Sequence, residues 1–439
     1  MTILIKNAYI LTFDENQTVI PEGYILIKDN IIQEVQAGSY NGITPDTTID
    51  ANHRVVTPGL VNAHMHCYST FSRGLDIGCA PSCFVEILEK LWWRLDKKLS
   101  TKDLYYSTLI PTMEAIRGGV TTFIDHHASP HCIPGCLDEV ERALLDAGMR
   151  GILCYETSDR DGLEIAQQGI EENTRFIQKN NNNKDALVKG TYGLHASFTV
   201  SDNTLQQTID NANQNNVGIH IHLAEDHADQ TLTLTQYKKR LVHRLSDRKA
   251  LNDKSITAHA VWVDENEKDI LANSQAWVVH NPRSNMNNAV GVMDLLGLIQ
   301  RNAKVCLGTD GMCGSIWPDL RTVAILQKLQ HRDPRLVWNE LWTLLKNNYQ
   351  LANIFFPIPQ GQLQKNHLAD IVIFNYYPPT PLTQNNILGH FLFGFAHVQA
   401  HTVLINGKIV LQNYEFLHLD EKEIAAKSRE QAIDFAKRF

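Results

Sequence analysis

The chain has no basic block. Forty Lys and Arg stand against 48 Asp and Glu, a net charge of −8 spread without clusters. Gripping a nucleic-acid backbone needs concentrated positive charge, so no nucleic-acid partner is expected. Long apolar runs are missing too: none approaches the ~18 residues that cross a bilayer, so no membrane partner is expected either. The opening stretch "MTILIKNAYILTFDENQTV" carries Lys6 and Asp14 and no small-residue cleavage pattern, which reads as a cytoplasmic protein without a secretory leader. Cysteine is sparse, at 8 residues, and Cys79/Cys83 and Cys132/Cys136 are spaced C-x3-C rather than the tighter C-x2-C of structural zinc sites. Reduced thiols are therefore expected instead of disulfides or zinc knuckles. Internal repeats are absent.

What is present is an ordinary globular balance, 43% apolar and 20% charged over 439 residues, enough for an α/β barrel with a smaller module. Residues 1–57 alternate short β-rich runs with turns and read as antiparallel strands. Similar material returns in "ADIVIFNY" and "HTVLINGKIVLQN", where Asn406-Gly407 is a strong two-residue hairpin signal. The simplest organisation is a composite β-sandwich domain from residues 1–57 and 369–415, with 58–368 inserted into it and 416–439 as a C-terminal helix. In the middle, strand-like runs end near His66, His127, Glu156, His195, Glu225, His259, His280 and Asp310, with amphipathic helices such as 137–147 and 202–215 between them. Eight such ends predict a (β/α)8 TIM-type barrel, whose strand C-termini carry the active site. An open doubly wound sheet would also alternate, but it would scatter these ends over two crevices. The long connection 67–99 carries a stripe of Phe84, Ile87, Leu88, Leu91, Trp92 and Leu95. It is expected to pack on a neighbouring element or on a second copy of the chain, with a lid as the open alternative.

His64 and His66 lie two apart at the end of a buried run, residues 55–63, that is broken by Pro58-Gly59. Residues i and i+2 of a strand share a face, so both imidazoles can reach one ion. With His222 and Asp310 they form the expected metal set. Neutral imidazoles plus one carboxylate suit one divalent ion, zinc first and iron second, leaving a position for water whose pKa the ion lowers. Glu225, three residues after His222, is the expected proton shuttle. His259 could orient the attacking water, polarise substrate or hold a second metal. A bridging carbamylated lysine at the fourth strand end is lacking, since His195 stands there and Lys189 near the strand's start, so one metal is expected and His195 becomes a substrate contact. One of His126 and His127 can face the barrel mouth, and His127 is a second candidate contact. In "HNPRSNMNN", Ser284 and Asn285 could orient ligands, and Arg283 could recognise an anionic or carbonyl group.

With these residues in place, "VVTPGLVNAHMH", "HIHLAE", "TAHA", "HNPRSN" and "LGTDG" make the chain resemble the amidohydrolase superfamily, in the branch of guanine deaminase, adenosylhomocysteine deaminases and triazine chlorohydrolases. "SRGL", "LWWRLD", "IDHHASP" and "RSNMNN" narrow the likeness to the SsnA-type aminohydrolases. The resemblance implies a split β-sandwich around a (β/α)8 barrel and a mononuclear site. In it His64, His66, His222 and Asp310 match the metal ligands, Glu225 the shuttle, His259 a catalytic histidine and His195 a substrate contact; a homodimer is a further expectation. "HASF" in place of His-x-Pro, and "SNMNN" without the Lys-Leu that often follows Ser-Asn, depart from the nucleoside deaminases and speak against a purine nucleoside. Cytidine-type zinc deaminases do not match, since no histidine has a glutamate two places on. The expected function is hydrolytic deamination of an amino-substituted heterocycle or cyclic amidine, with Glu225, His259 and Asp310 as catalytic groups. Hydrolysis of a ring amide, or removal of chloride or an alkylamine, is the alternative chemistry, and a non-catalytic accessory protein that keeps the barrel is the alternative class.

Overall fold

The computed structural model describes residues 1–395 and 397–439. Strands β1 (Thr2–Leu11), β2 (Val19–Lys28) and β3 (Ile31–Ala37) form an antiparallel meander. β4 (Thr47–Asp50) and β5 (Val55–Pro58) then join β1 in parallel, with Ile3 opposite Thr47 and Tyr9 opposite Val55. The N-terminal sheet is therefore mixed and not purely antiparallel as expected, because alternation reports which face is buried and not the direction of the neighbour.

The chain passes from this sheet to the barrel at Pro58-Gly59. β6 (Leu60–Met65) opens a parallel ring that continues through β7 (Val120–His127) and β8 (Arg150–Thr157), on which the short β9 (Val188–Gly190) also pairs. It runs on through β10 (Tyr192–Ala196), β11 (Ile219–Leu223), β12 (Ile256–His259), β13 (Trp277–His280) and β14 (Lys304–Leu307). A parallel bridge between Met65 and Asp310 joins the last strand's end to the first. These strands are buried almost throughout, as expected where helices cover a parallel sheet. Gly59 is required at the crossover: a Cβ there would lie 2.2 Å from the Thr121 side chain.

β15 (Ile371–Phe374), β16 (Ala400–Ile405), β17 (Lys408–Gln412) and β18 (Glu415–Phe416) return to the first sheet, β15 pairing antiparallel with β5. Asn406 and Gly407 both have positive φ, 53° and 69°, the conformation that a two-residue hairpin demands. Ile3, Ile5, Ile10, Ile25, Ile27, Ile371 and Ile373 form this sheet's own core. Arg150 at the start of β8 pairs with Asp370 just before β15 at 3.3 Å, both almost wholly buried, and so ties barrel to sheet.

The connection after β6 is helical over most of 84–98, with a wider π turn at Leu88–Trp92. The C-terminal helix Glu421–Arg438 packs behind it on the helix Thr101–Arg117, where Arg438 donates to Asp103 at 2.8 Å. Among the described residues, no helix is long and apolar enough to cross a membrane.

Candidate active site

Closure of the barrel assembles the site. The Thr309 and Asp310 N–H groups both donate to the His64 carbonyl at 3.0 Å, which sets Asp310 beside the two histidines of β6. Asp310 Oδ1 lies 3.3 Å from His64 Nε2 and 3.0 Å from His66 Nε2, and His66 Nε2 lies 3.1 Å from His222 Nε2. His64, His222, His259 and Asp310 also bring ligand atoms within 4.8 Å of one another. A tetrahedral ion with bonds of ~2.0–2.1 Å sets its ligands roughly 3.3–3.4 Å apart, close to these spacings.

The outer ring nitrogens are anchored, which fixes which nitrogen faces inward. His66 Nδ1 donates to the His126 carbonyl at 2.6 Å and His222 Nδ1 to the His195 carbonyl at 2.9 Å. His259 Nδ1 donates to Asn285 Oδ1 at 2.8 Å, while His64 Nδ1 meets His220 Nε2 at 2.9 Å. His64 Nε2 and His259 Nε2 are left buried without a hydrogen-bond partner among the described residues. Lone pairs packed this closely need a cation between them. Burial pushes His64 down to about 3 and His222 well below the usual range, keeping both as neutral ligands. Burial also opposes charge on His66, but the hydrogen bond and charge of Asp310 win and lift it to about 9, so a proton sits where a cation would neutralise the carboxylate. The donor set fits a divalent metal ion.

Glu225 follows β11 by two residues. Its Oε2 lies 3.4 Å from His259 Nε2, its Oε1 accepts from Asn288 Nδ2 at 3.2 Å, and burial pushes its carboxyl up to about 7. Ala224, His259, Ala260 and Asp310 all have φ between 47° and 80°. This left-handed strain in non-glycine residues gathers where the surrounding structure holds a site in place. The helix Pro282–Asn287 supports it from one side: Ser284 donates to Asp310 Oδ2, and Asn285 holds His259.

A cavity of about 240 Å³ opens over the cluster. His66, His222, Glu225 and Asp310 form its floor, with His195 and Glu156 to one side and Tyr68, Phe84, Leu88, Trp92, Trp93 and Phe198 as its wall. The apolar stripe of 84–98 is thus a cavity wall as well as a packing face. The π turn falls at Leu88–Trp92, and Leu91, Trp92 and Trp93 in succession line the cavity. Asp96 lines the cavity too and is salt-bridged to Arg160.

Two expected substrate contacts lie elsewhere. His127 does not line the cavity: neighbouring residues of a strand face opposite sides, and His126 takes the inward one, its ring 4.7 Å from that of His222. His127 is fully buried, with Nε2 3.0 Å from Ser129 Oγ. Arg283 is also turned away, its Nε and Nη2 donating to the buried Asp319 at 2.8 and 2.5 Å. Glu156 was legible as an acidic strand end, but no spacing linked it to His126, whose Nδ1 donates to Glu156 Oε2 at 3.1 Å. Trp93 and the Asp96–Arg160 pair carried no signal in the sequence at all.

A parallel barrel with histidines and an aspartate gathered at its strand C-termini defines a metal-dependent hydrolase. Residues 55–410 match the model of the amidohydrolase family, and the chain belongs to that family, in its deaminase branch. It is 31% identical to the 5-methylthioadenosine/S-adenosylhomocysteine deaminase of Pyrococcus furiosus, over 97% of this chain and 99% of that protein. It is 30% identical to the 5'-deoxyadenosine deaminase of Methanosarcina mazei, over 99% of each. Among solved structures, a zinc-bound adenosine deaminase from Xanthomonas campestris superposes with a TM-score of 0.87 at 21% identity, over 100% of this chain and 99% of that one. The zinc complex of atrazine chlorohydrolase from Arthrobacter aurescens TC1 superposes with 0.80 at 19%, over 98% and 100%. At these identities the superpositions show the shared fold.

Proposed function

We propose that this protein is a cytoplasmic zinc enzyme that hydrolytically deaminates an amino-substituted heterocycle or cyclic amidine. The observation that carries this reading is the placement of Glu225 beside His259 at the edge of the His64, His66, His222 and Asp310 cluster, inside a cavity walled by aromatic side chains. One zinc ion held by those four residues would supply water activated at neutral pH. The Glu225 carboxylate takes a proton from that water and delivers it to the ring nitrogen next to the carbon under attack. Asn288 fixes the other Glu225 oxygen, so the proton-carrying one keeps its direction. His259, with Asp310 beside it, accepts a hydrogen bond from the one hydrogen that remains on the attacking oxygen. Trp92, Trp93, Tyr68 and Phe198 stack on the flat ring and keep bulk water out. The remaining hydroxyl proton of the adduct then passes by way of His259 to the amine, the carbon–amine bond breaks, water's oxygen stays on the ring as a carbonyl, and the amine leaves as ammonia.

The test is ammonia release from a panel of amino-heterocycles that includes adenosine derivatives, the compounds named for the relatives. His66→Ala and Asp310→Asn should each lose bound zinc and at least 99% of that release, on the order of the 10²-fold or more expected when a metal site is broken. Full metal content with full activity in either variant would overturn the assignment. Ring opening or chloride release without ammonia would keep the water-activating cluster and replace the reaction.

A further inference from the structure

Glu156 and His195 face the cavity beside the metal cluster, and the proposed mechanism uses neither. Glu156 Oε2 is occupied by His126 Nδ1, but Oε1 has no hydrogen-bond partner among the described residues, and His195 Nε2 lies 4.0 Å from it. His195 Nδ1 lies 2.7 Å from Thr199 Oγ1, which also lies 3.1 Å from the Ala196 carbonyl; in the tautomer whose Nδ1–H donates to Thr199, His195 Nε2 presents a lone pair. In that tautomer two acceptors 4.0 Å apart line the same cavity, open to a donor from a bound molecule.

We infer that the heterocycle accepted here carries, besides the amine that leaves, a second N–H-bearing edge, an exocyclic amine alone or with its neighbouring ring N–H, that donates to Glu156 Oε1 and His195 Nε2. This rests on the deaminase reading. The donors belong to the ring itself and not to a distant substituent, because Glu156 and His195 line the same cavity as His66 and His222, and one Glu156 oxygen lies within 4.8 Å of a ring nitrogen on each of His66, His126 and His222. An amine edge is also what separates two kinds of substrate. A heterocycle with only ring acceptors on that side would set lone pairs against lone pairs, and a buried acceptor left unpaired costs about 1–3 kcal/mol in general, more when charged. Glu156 and His195 are thus specificity-determining residues that read a donor edge.

Matched pairs that differ by one amine test this on the zinc-loaded protein: 2,6-diaminopurine against adenine, and 2,4-diaminopyrimidine against 4-aminopyrimidine. The diamino member should be favoured about ten-fold or more in kcat/KM for ammonia release, one charge-assisted hydrogen bond's worth. Glu156→Gln should cut that preference below about three-fold while zinc content stays at one per chain. If that variant gives no cooperative melt, His195→Phe, which removes the lone pair and keeps a ring, carries the same comparison. Equal kcat/KM within each pair in the unaltered protein overturns the inference, as does a preference that survives in the variant. Two zinc ions per chain with one lost in Glu156→Gln would also overturn it, by making Glu156 a ligand. If no compound releases ammonia, the deaminase reading fails. The donor-edge inference is then judged by titration of the same pairs, standing if the diamino member binds ten-fold tighter and falling if the affinities match.

Discussion

Replacing Arg150 by Met would show how much of the stability rests on the buried pair between barrel and end sheet. The guanidinium and the Asp370 carboxylate are 4% and 2% exposed and meet at 3.3 Å. Met fills most of the stem's volume and keeps apolar contact with Phe356, whose ring centroid lies 4.9 Å from the Arg150 guanidinium carbon. Asp370 then keeps only the Asn406 N–H, 2.6 Å from Oδ1. At this separation and an effective dielectric near 20, the lost attraction is about 5 kcal/mol, and breaking a buried pair generally destabilises by about 3–5 kcal/mol. With an unfolding entropy of about 2.1 cal/mol/K per residue, a 439-residue chain should melt about 3–5 °C lower. Adding Asp370→Asn removes the stranded charge and keeps an acceptor for Asn406, so the double variant should recover to within about 2 kcal/mol of the unaltered protein. Urea unfolding followed by tryptophan fluorescence and circular dichroism measures all four members of the cycle. An Arg150→Met loss under about 1 kcal/mol, or a double-variant loss equal to the sum of the singles, refutes the reasoning.

Glu225→Gln should retain its metal while kcat falls by about 10²- to 10⁴-fold; a loss under ten-fold by steady-state assay would remove Glu225 from proton transfer. Because burial lifts Glu225 to about 7 and it must begin as the carboxylate, kcat/KM should decline as pH falls through neutrality, and a profile flat down to pH 5 would contradict this. Chelation should abolish activity and zinc restore it, and with free zinc at about 100 times its Kd the loaded protein gains about 2.7 kcal/mol, read as a higher melting temperature. Arg283→Met should leave KM within about two-fold, since the guanidinium serves Asp319 and not the cavity, but should destabilise the fold by about 3–5 kcal/mol; a large KM change with unchanged stability would restore Arg283 to the substrate. Burial raises Asp319 to about 6 from 3.8, so the native state takes up this proton before the unfolded chain does. Its contribution to stability is complete below about pH 4 and is lost as pH rises through 6; Asp319→Asn should remove that slope from urea midpoints measured between pH 4 and 7.

The features legible in the sequence were those with a period or a fixed turn chemistry. The His64/His66 parity, the Asn406-Gly407 hairpin and the strand ends at His222 and Asp310 each follow from local geometry that the residues themselves carry. Parity also explains one failure. His126 and His127 announce that one of them faces inward but not which, because the phase of β7 is set by its register against β6 and β8, a tertiary fact. Arg283 failed differently: an arginine near a site reads as a ligand until its partner is known, and Asp319 lies on another helix 36 residues away. Trp92 was legible in the apolar stripe, but Trp93 falls outside that stripe and lines the cavity all the same.

The same division runs through the site. The groups proposed to activate water and move protons, His64, His66, His222, Asp310 and Glu225, stand at or just past strand ends whose positions the barrel fixes. The groups proposed to face the substrate elsewhere, Glu156, His195 and the tryptophan wall, depend on one side chain's partner or on an irregular helix. A barrel can hold the strand-end set in place while the groups around it change, since only the first is fixed by the strands. Glu156 is where this chain's own choice is most exposed. Its carboxylate is anchored through one oxygen by His126 at 3.1 Å, and the other lies 4.0 Å from His195 Nε2 at the cavity, so under the donor-edge inference a change at Glu156 alters what is accepted while His64, His66, His222 and Asp310 keep their places.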